Sequence, residues 1–129
     1  MILVTPEQFK ALRANAELAD ADPFPVLKLF NPAGPATWIA TELAADGDSL
    51  FGLADLGFGC PELGSFSLRE IRSIHLPFGL RIERDRAFST AHPLSVWTAE
   101  ARRCGSLLAA EAALARRNRP SDPELPPRS

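Results

Sequence analysis

The chain has little of what usually announces a function. Its two cysteines, Cys60 and Cys104, stand alone in 129 residues. With no C-x-x-C pair there is no disulfide framework, and a single bridge between them stays open. The two histidines, His75 and His92, are not joined by a ligand spacing such as H-x3-H. No apolar run approaches the roughly 20 residues that span a bilayer. Met1-Ile2-Leu3-Val4 is too short for a signal peptide and lacks its basic start, so the expected location is the cytoplasm. The net charge is −2, which provides no strong field toward nucleic acid or an anionic membrane surface. That charge is uneven: residues 1–97 carry −4 and residues 98–129 carry +2. No internal repeat is present.

What is there centres on Thr37 to Phe66. Thr37-Trp38-Ile39-Ala40-Thr41-Glu42-Leu43 and Ser49-Leu50-Phe51-Gly52-Leu53-Ala54-Asp55 are two half-apolar runs around an Asp46-Gly47 pair, the pattern of a β-hairpin. A two-residue turn at Asp46-Gly47 would pair Ala45 with Asp48, Ile39 with Ala54 and Thr41 with Gly52. Trp38, Ala40 and Glu42 would then share a face with Asp55, Leu53 and Phe51. A glycine-punctuated loop, Leu56-Gly57-Phe58-Gly59-Cys60-Pro61, leads to a short strand, Glu62 to Phe66.

Upstream, Thr5-Pro6-Glu7-Gln8 reads as an N-cap, a proline at N1 and a capping box. The helix stripe is Phe9, Leu12, Ala16 and Ala19. Pro25 to Phe30 reads as a strand whose poor alternation suits burial on both faces. Downstream, Ser67-Leu68-Arg69-Glu70 is a second capping box opening a short helix with Leu68, Ile71 and Ile74 inward. Leu80 to Arg86 alternates as a last strand. Leu94, Trp97, Ala101, Cys104 and Leu108 follow 3.6-residue spacing, predicting a helix from Pro93 to about Arg117, with Gly105 as its weak point.

The fold class is therefore α+β: a small, mostly antiparallel sheet of four to five strands, covered by helices on one face, plus a C-terminal helix. Residues 1–97 form the domain, 98–118 a helical extension, and 119–129 a disordered Pro-rich tail.

The strings LFNPAGPATWIATEL, GDSLFGLADLGFGCPELGSFSLREI, GLRIERDRAF and HPLSVW resemble a small bacterial domain-of-unknown-function family, numbered 2958. The resemblance runs from about Leu3 to Trp97. It implies no catalytic residue, since the family has no assigned activity. It also implies a setting, because members are often encoded on plasmids and other mobile elements. The segment after about Thr98 extends beyond the usual family length.

The candidate chemistry is thin. Gly57-x-Gly59 meets Glu62 where a dinucleotide fingerprint needs glycine, and Ser65 stands where a Walker A loop needs lysine. Asp46-Gly47-Asp48 begins like a calcium loop, but Leu50 occupies the next ligand position. His75 and His92 do not make a metal set, and Cys60–His75 lacks any visible activating base. The expectation is no metal, no cofactor and no catalytic residue. Glu83-Arg84-Asp85-Arg86 suits an edge strand blunted by charge, or, with Glu42, Asp55 and Glu62 meeting Arg84, a polar cleft for a ligand or for acid–base chemistry. Arg102, Arg103, Arg116, Arg117 and Arg119 lack interleaved aromatics and read as a solvated helix face.

Two functions remain. One is a non-catalytic module that binds a protein partner through Leu56, Gly57, Phe58 and Gly59. The other is a small ligand-binding protein or enzyme built on the acidic/Arg cleft.

Overall fold

The structure, a computed structural model, describes residues 2–18 and 21–117. Its first helix, α1 (Pro6–Ala16), starts as the capping pattern dictates: Thr5 Oγ1 accepts from Gln8 N at 3.1 Å, and Gln8 Oε1 accepts from Thr5 N at 3.0 Å. Leu12 is fully buried, but Phe9 is 44% exposed, so the expected stripe is only partly inward. The helix docks by its C-terminal half, where Arg13 Nη1 reaches Leu43 O and Asn15 Nδ2 reaches Thr41 O. Ala19 lies outside the described residues.

Strands β1 (Leu27–Phe30), β2 (Thr37–Leu43), β3 (Ser49–Asp55), β4 (Glu62–Ser67) and β5 (Glu83–Arg84) form one antiparallel sheet in the order β4-β3-β2-β1-β5. The hairpin corrects the sequence reading. Ala44 N donates to Ser49 O, so four residues, Ala45 to Asp48, make the loop, with Gly47 at φ +73°. Near the loop Glu42 pairs with Phe51. A bulge at Thr41 then shifts the pairing by one, so Ile39 opposes Leu53 and Ala40 opposes Gly52. Gly52 is required there: a Cβ would sit 1.9 Å from the Ile39 carbonyl oxygen. The bulge lets Trp38, Ala40 and Leu43 share one face despite their odd spacing.

Helices cover both faces of the sheet, not one. On the first face, α1 and α2 (Leu68–Arg72) pack Leu12, Leu68 and Ile71 against Trp38, Leu43, Leu50, Leu27 and Leu29. Ser67 caps α2 through Glu70 N. On the second face, α3 (Leu94–Cys104) and α4 (Leu107–Arg117) pack Leu94, Trp97, Ala101, Leu107, Ala110 and Leu114 against Ile39 and Leu53. The predicted single helix breaks at Gly105, which takes φ +73° as the α3 C-cap. The break turns Leu107 inward and leaves Leu108 44% exposed. Trp97 lies in the middle of α3, and residues 98–114 contribute to the same buried cluster. The tail from 118 onward lies outside the described residues.

The expected strand over Leu80–Arg86 shrinks to Glu83–Arg84. Leu80 closes a tight turn with Leu76, and Asp85 accepts from Ala87 N and Phe88 N, which turns the chain away.

Candidate interaction surface

The end of β3 sets the geometry of the glycine loop. Asp55 is 3% exposed. Its Oδ1 accepts from Gly57 N and its Oδ2 from Leu107 N, both at 2.8 Å. The first bond starts the loop, and the second ties it to the N-terminus of α4, where an anion suits the helix dipole. Gly57 (φ +94°) lies against Pro35, whose Cγ would be 2.5 Å from an added Cβ. Gly59 takes φ +83°. Between them the tip presents Leu56 at 54% and Phe58 at 82% exposure. Pro61 is buried and returns the chain to β4. A shallow cavity of about 120 Å³ lies among Ala54, Leu56, Phe58, Cys60 and Glu62.

Past the tip runs an open sheet edge. Leu68 N donates to Asp48 O at 2.9 Å, one step beyond the Ser49–Ser67 pair. Hydrogen bonding alternates along an antiparallel ladder. Glu62, Gly64 and Phe66 therefore turn their N–H and C=O toward β3, while Leu63 and Ser65 turn theirs outward. Both outward residues are exposed. Beside this edge, on the α3 face, lies a groove of about 400 Å³. Its floor is Phe51 and Leu63, and one wall is the α3 flank Ser95, Thr98, Ala99 and Arg102. Glu42 also lines it. Among the described residues neither Glu42 nor Arg102 forms an ion pair within 4.0 Å. Asp22 closes one end by accepting from Ser95 N and Ser95 Oγ.

The polar cleft is not assembled. Glu42 lies in the α3 groove, Asp55 is committed to the tip and α4, and Glu62 begins one edge strand. Arg84 sits on the opposite edge, four strand spacings away, roughly 19 Å, and its guanidinium bonds the Ile2 carbonyl. No hydrogen bond joins Cys60 to His75; the Cys60 thiol faces Phe58 O at 3.9 Å. Cys60 and Cys104 are both free thiols. Among the described residues, no group of three or more His, Cys, Asp or Glu is placed to hold a metal ion. No described helix is long and apolar enough to cross a membrane.

The acidic turn has a structural use. Asp46 accepts from Ser49 Oγ, Ser49 N and Asp48 N, and these bonds hold its carboxyl down at about 2. Asp48 accepts from Ser67 Oγ at 2.6 Å and Arg69 N at 2.7 Å, which lowers its pKa as well. Among the arginines, Arg103 and Arg117 share Glu100. The Arg103 hydrogen bond holds the Glu100 carboxyl below its usual value.

Sequence reasoning missed two features. Lys28 is 8% exposed and lies between Glu111 at 2.7 Å and Asp85 at 3.3 Å. Phe78 is 98% exposed and takes φ +62°, an uncommon conformation for a bulky residue. The Pro77-Phe78-Gly79 turn was legible, but nothing local showed that the aromatic points outward.

Fold and surface define an α+β domain whose five-stranded antiparallel sheet has one edge, β4, that no described residue pairs with on its outer side. The chain belongs to the family described as "Protein of unknown function (DUF2958)", which matches residues 3–108. The match continues past Trp97 through α3 and into the start of α4. No curated protein and no solved structure matches the chain.

Proposed function

We propose that this chain is a non-catalytic binding domain that engages a protein partner through the Leu56–Cys60 tip. The supporting observation is Phe58, 82% exposed beside the half-exposed Leu56, on a loop whose base is fixed by the buried Asp55. An aromatic in that position contributes nothing to the core. A fixed base limits the ordering cost of binding, and a single aromatic anchor can dominate a small interface. A bacterial host and an accessory, mobile-element-encoded system are the setting the family resemblance implies, and cytoplasmic action is the expectation from the N-terminal sequence and the lack of a bilayer-length apolar run.

The experiment places a photo-reactive phenylalanine analogue at position 58 of the full chain in its host. The expected result is a discrete cross-linked adduct from position 58 and none from Lys10, an exposed position on α1. Equal, diffuse labelling from both positions overturns the reading. Phe58→Ser is expected to keep its thermal midpoint while no longer co-purifying with the protein identified in the adduct.

A further inference from the structure

We infer that β4 and the adjoining groove take an extended segment of the partner protein as a sixth strand, with an apolar side chain over Leu63 and an acidic side chain on Arg102. The inference rests on the protein-binding reading of the neighbouring tip and names the form of its partner.

Three observations converge. The first is the outward main chain of Leu63 and Ser65, a pair of donors and a pair of acceptors that no described residue meets. A strand laid along them gains main-chain hydrogen bonds irrespective of its sequence, which is how edge addition supplies affinity. The second is the absence of protection. Edges are usually blunted by lysine, proline or a bulge, and residues 62–67 contain none of these. The third is the groove. A strand added beside β4 sends alternate side chains to the α3 face, where Leu63 and Phe51 offer an apolar floor and Arg102 a cation with no ion-pair partner among the described residues. The α3 flank is small there (Ser95, Thr98, Ala99), and that smallness creates the space.

The charge layout gives the segment a sense. Gly105, at the end of α3, lies beside the Gly59 carbonyl, so Arg102 marks the end of the groove nearest the Phe58 tip. Asp22 and Glu42 make the other end acidic. An acidic side chain is therefore favoured at the tip end and disfavoured at the far end.

A second copy of this chain fits less well. Symmetric pairing of two β4 strands that uses their full length places Leu63 opposite Ser65 or Ser67 of the other copy. Either serine leaves the 400 Å³ groove unfilled and Arg102 without an anion.

The test uses a displayed library of random 12-residue peptides selected on the immobilised full chain, followed by fluorescence anisotropy with the selected peptides. The expected result is a consensus pairing an apolar residue with an acidic one two positions away. Ser65→Pro removes an outward donor at a position where an edge strand tolerates proline, and Leu63→Lys places a charge at the floor. Each should weaken binding at least tenfold with circular dichroism unchanged. Arg102→Glu should lose the selected peptide and regain binding when its acidic residue is replaced by lysine, which a folding defect would not produce. Failure to enrich any peptide overturns the inference, as does binding indifferent to all three substitutions. Peptides lost with Phe58→Ser but not with these three overturn it while leaving the tip reading intact. A wild-type dimer in sedimentation that Ser65→Pro converts to monomer overturns it in favour of self-association.

Discussion

The two edges of the sheet are built in opposite ways. At one edge β5 has two residues, Glu83 and Arg84, both charged. Asp85 N still bonds Lys28 O, and the Lys28 ammonium bridges the Asp85 and Glu111 carboxylates, so that α4 clamps that side. At the other edge β4 has six residues, only one of them charged, and no described residue bonds its outer main chain. Shortness, charge and a covering helix are means by which a sheet prevents unwanted pairing. Their presence at one edge shows that this chain can supply them. None of these devices is found among the described residues at the other edge, beside the most exposed residues of the glycine loop.

The largest test of the comparison removes α4, which clamps the β5 edge and holds Asp55 at the tip end of β3. We propose that the folding unit reaches residue 117, because α4 supplies Leu107, Ala110 and Leu114 to the core and its first amide to Asp55. A chain ending at Ser106 should lose its cooperative thermal transition, whereas one ending at Asn118 should keep its midpoint within error. Equal midpoints would show that α4 is not part of that unit.

Trp97→Ala comes next. The indole is 3% exposed, its Nε1 donates to Thr90 Oγ1 at 3.0 Å, and its ring packs on Phe88 with centroids 6.0 Å apart. Truncation should cost about 3–5 kcal/mol in denaturant unfolding. A loss under about 0.5 kcal/mol would be that of a surface residue.

Lys28→Ala attacks the protected edge alone. It leaves Asp85 and Glu111 facing each other with no cation between them. Fully buried pairs lose about 3–5 kcal/mol on such a change. Here the carboxylates keep 27% and 33% exposure, so about 1–3 kcal/mol is expected after solvent screening. Hydrogen exchange at residues 83–85 should accelerate while β4 is unchanged; acceleration at both edges would break the comparison.

Acid tests the far end of the open edge, where Asp48 holds Ser67 and Arg69 while Asp46 organises the hairpin loop. The Asp46 carboxyl is lowered from 3.8 to about 2 by its Ser49 and Asp48 hydrogen bonds. A depressed carboxyl contributes stability that is complete above its unfolded value and is lost as pH falls through its folded value. The thermal midpoint should therefore drop between about pH 4 and pH 2, and Asp46→Asn should flatten that drop. An unchanged profile would remove the loop from the acid response.

The smallest effect requires no substitution. Amides of Gly64 and Phe66 should exchange slowly, and those of Leu63 and Ser65 quickly, because only the first two face β3. Uniform protection from 63 to 66 would show that β4 is covered after all.

Much of this was legible locally. The Thr5–Gln8 capping box, the Ser67 cap and the hairpin strands follow from residue types within a few positions of one another, whereas residue types left Leu56 and Phe58 equally suited to folding inward or pointing outward. The Gly105 break was legible as a weak point, because a residue without a Cβ takes a left-handed C-cap at no steric cost. Phe9 shows the opposite case. Its spacing suits a buried stripe, yet α1 meets the sheet through Arg13 and Asn15, and their carbonyl partners lie some thirty residues away in sequence.

What the sequence determined by itself is the kind of object: an α+β chain of short antiparallel strands between capped helices, without a catalytic or metal motif. These are consequences of periodicity and backbone preference, which act between near neighbours. Tertiary structure decided the rest. The bulge at Thr41 moved the register by one beyond the loop, because Gly52 allows the Ile39 carbonyl to approach where any side chain would block it. Asp55 became the tie between the loop and α4 instead of a member of a polar cleft, and Arg84 went to the opposite edge from Glu62. Which edge is sealed and which is open depends on strand order. That order is fixed by side chains packing across both faces of the sheet, between residues that have no local relation in the sequence.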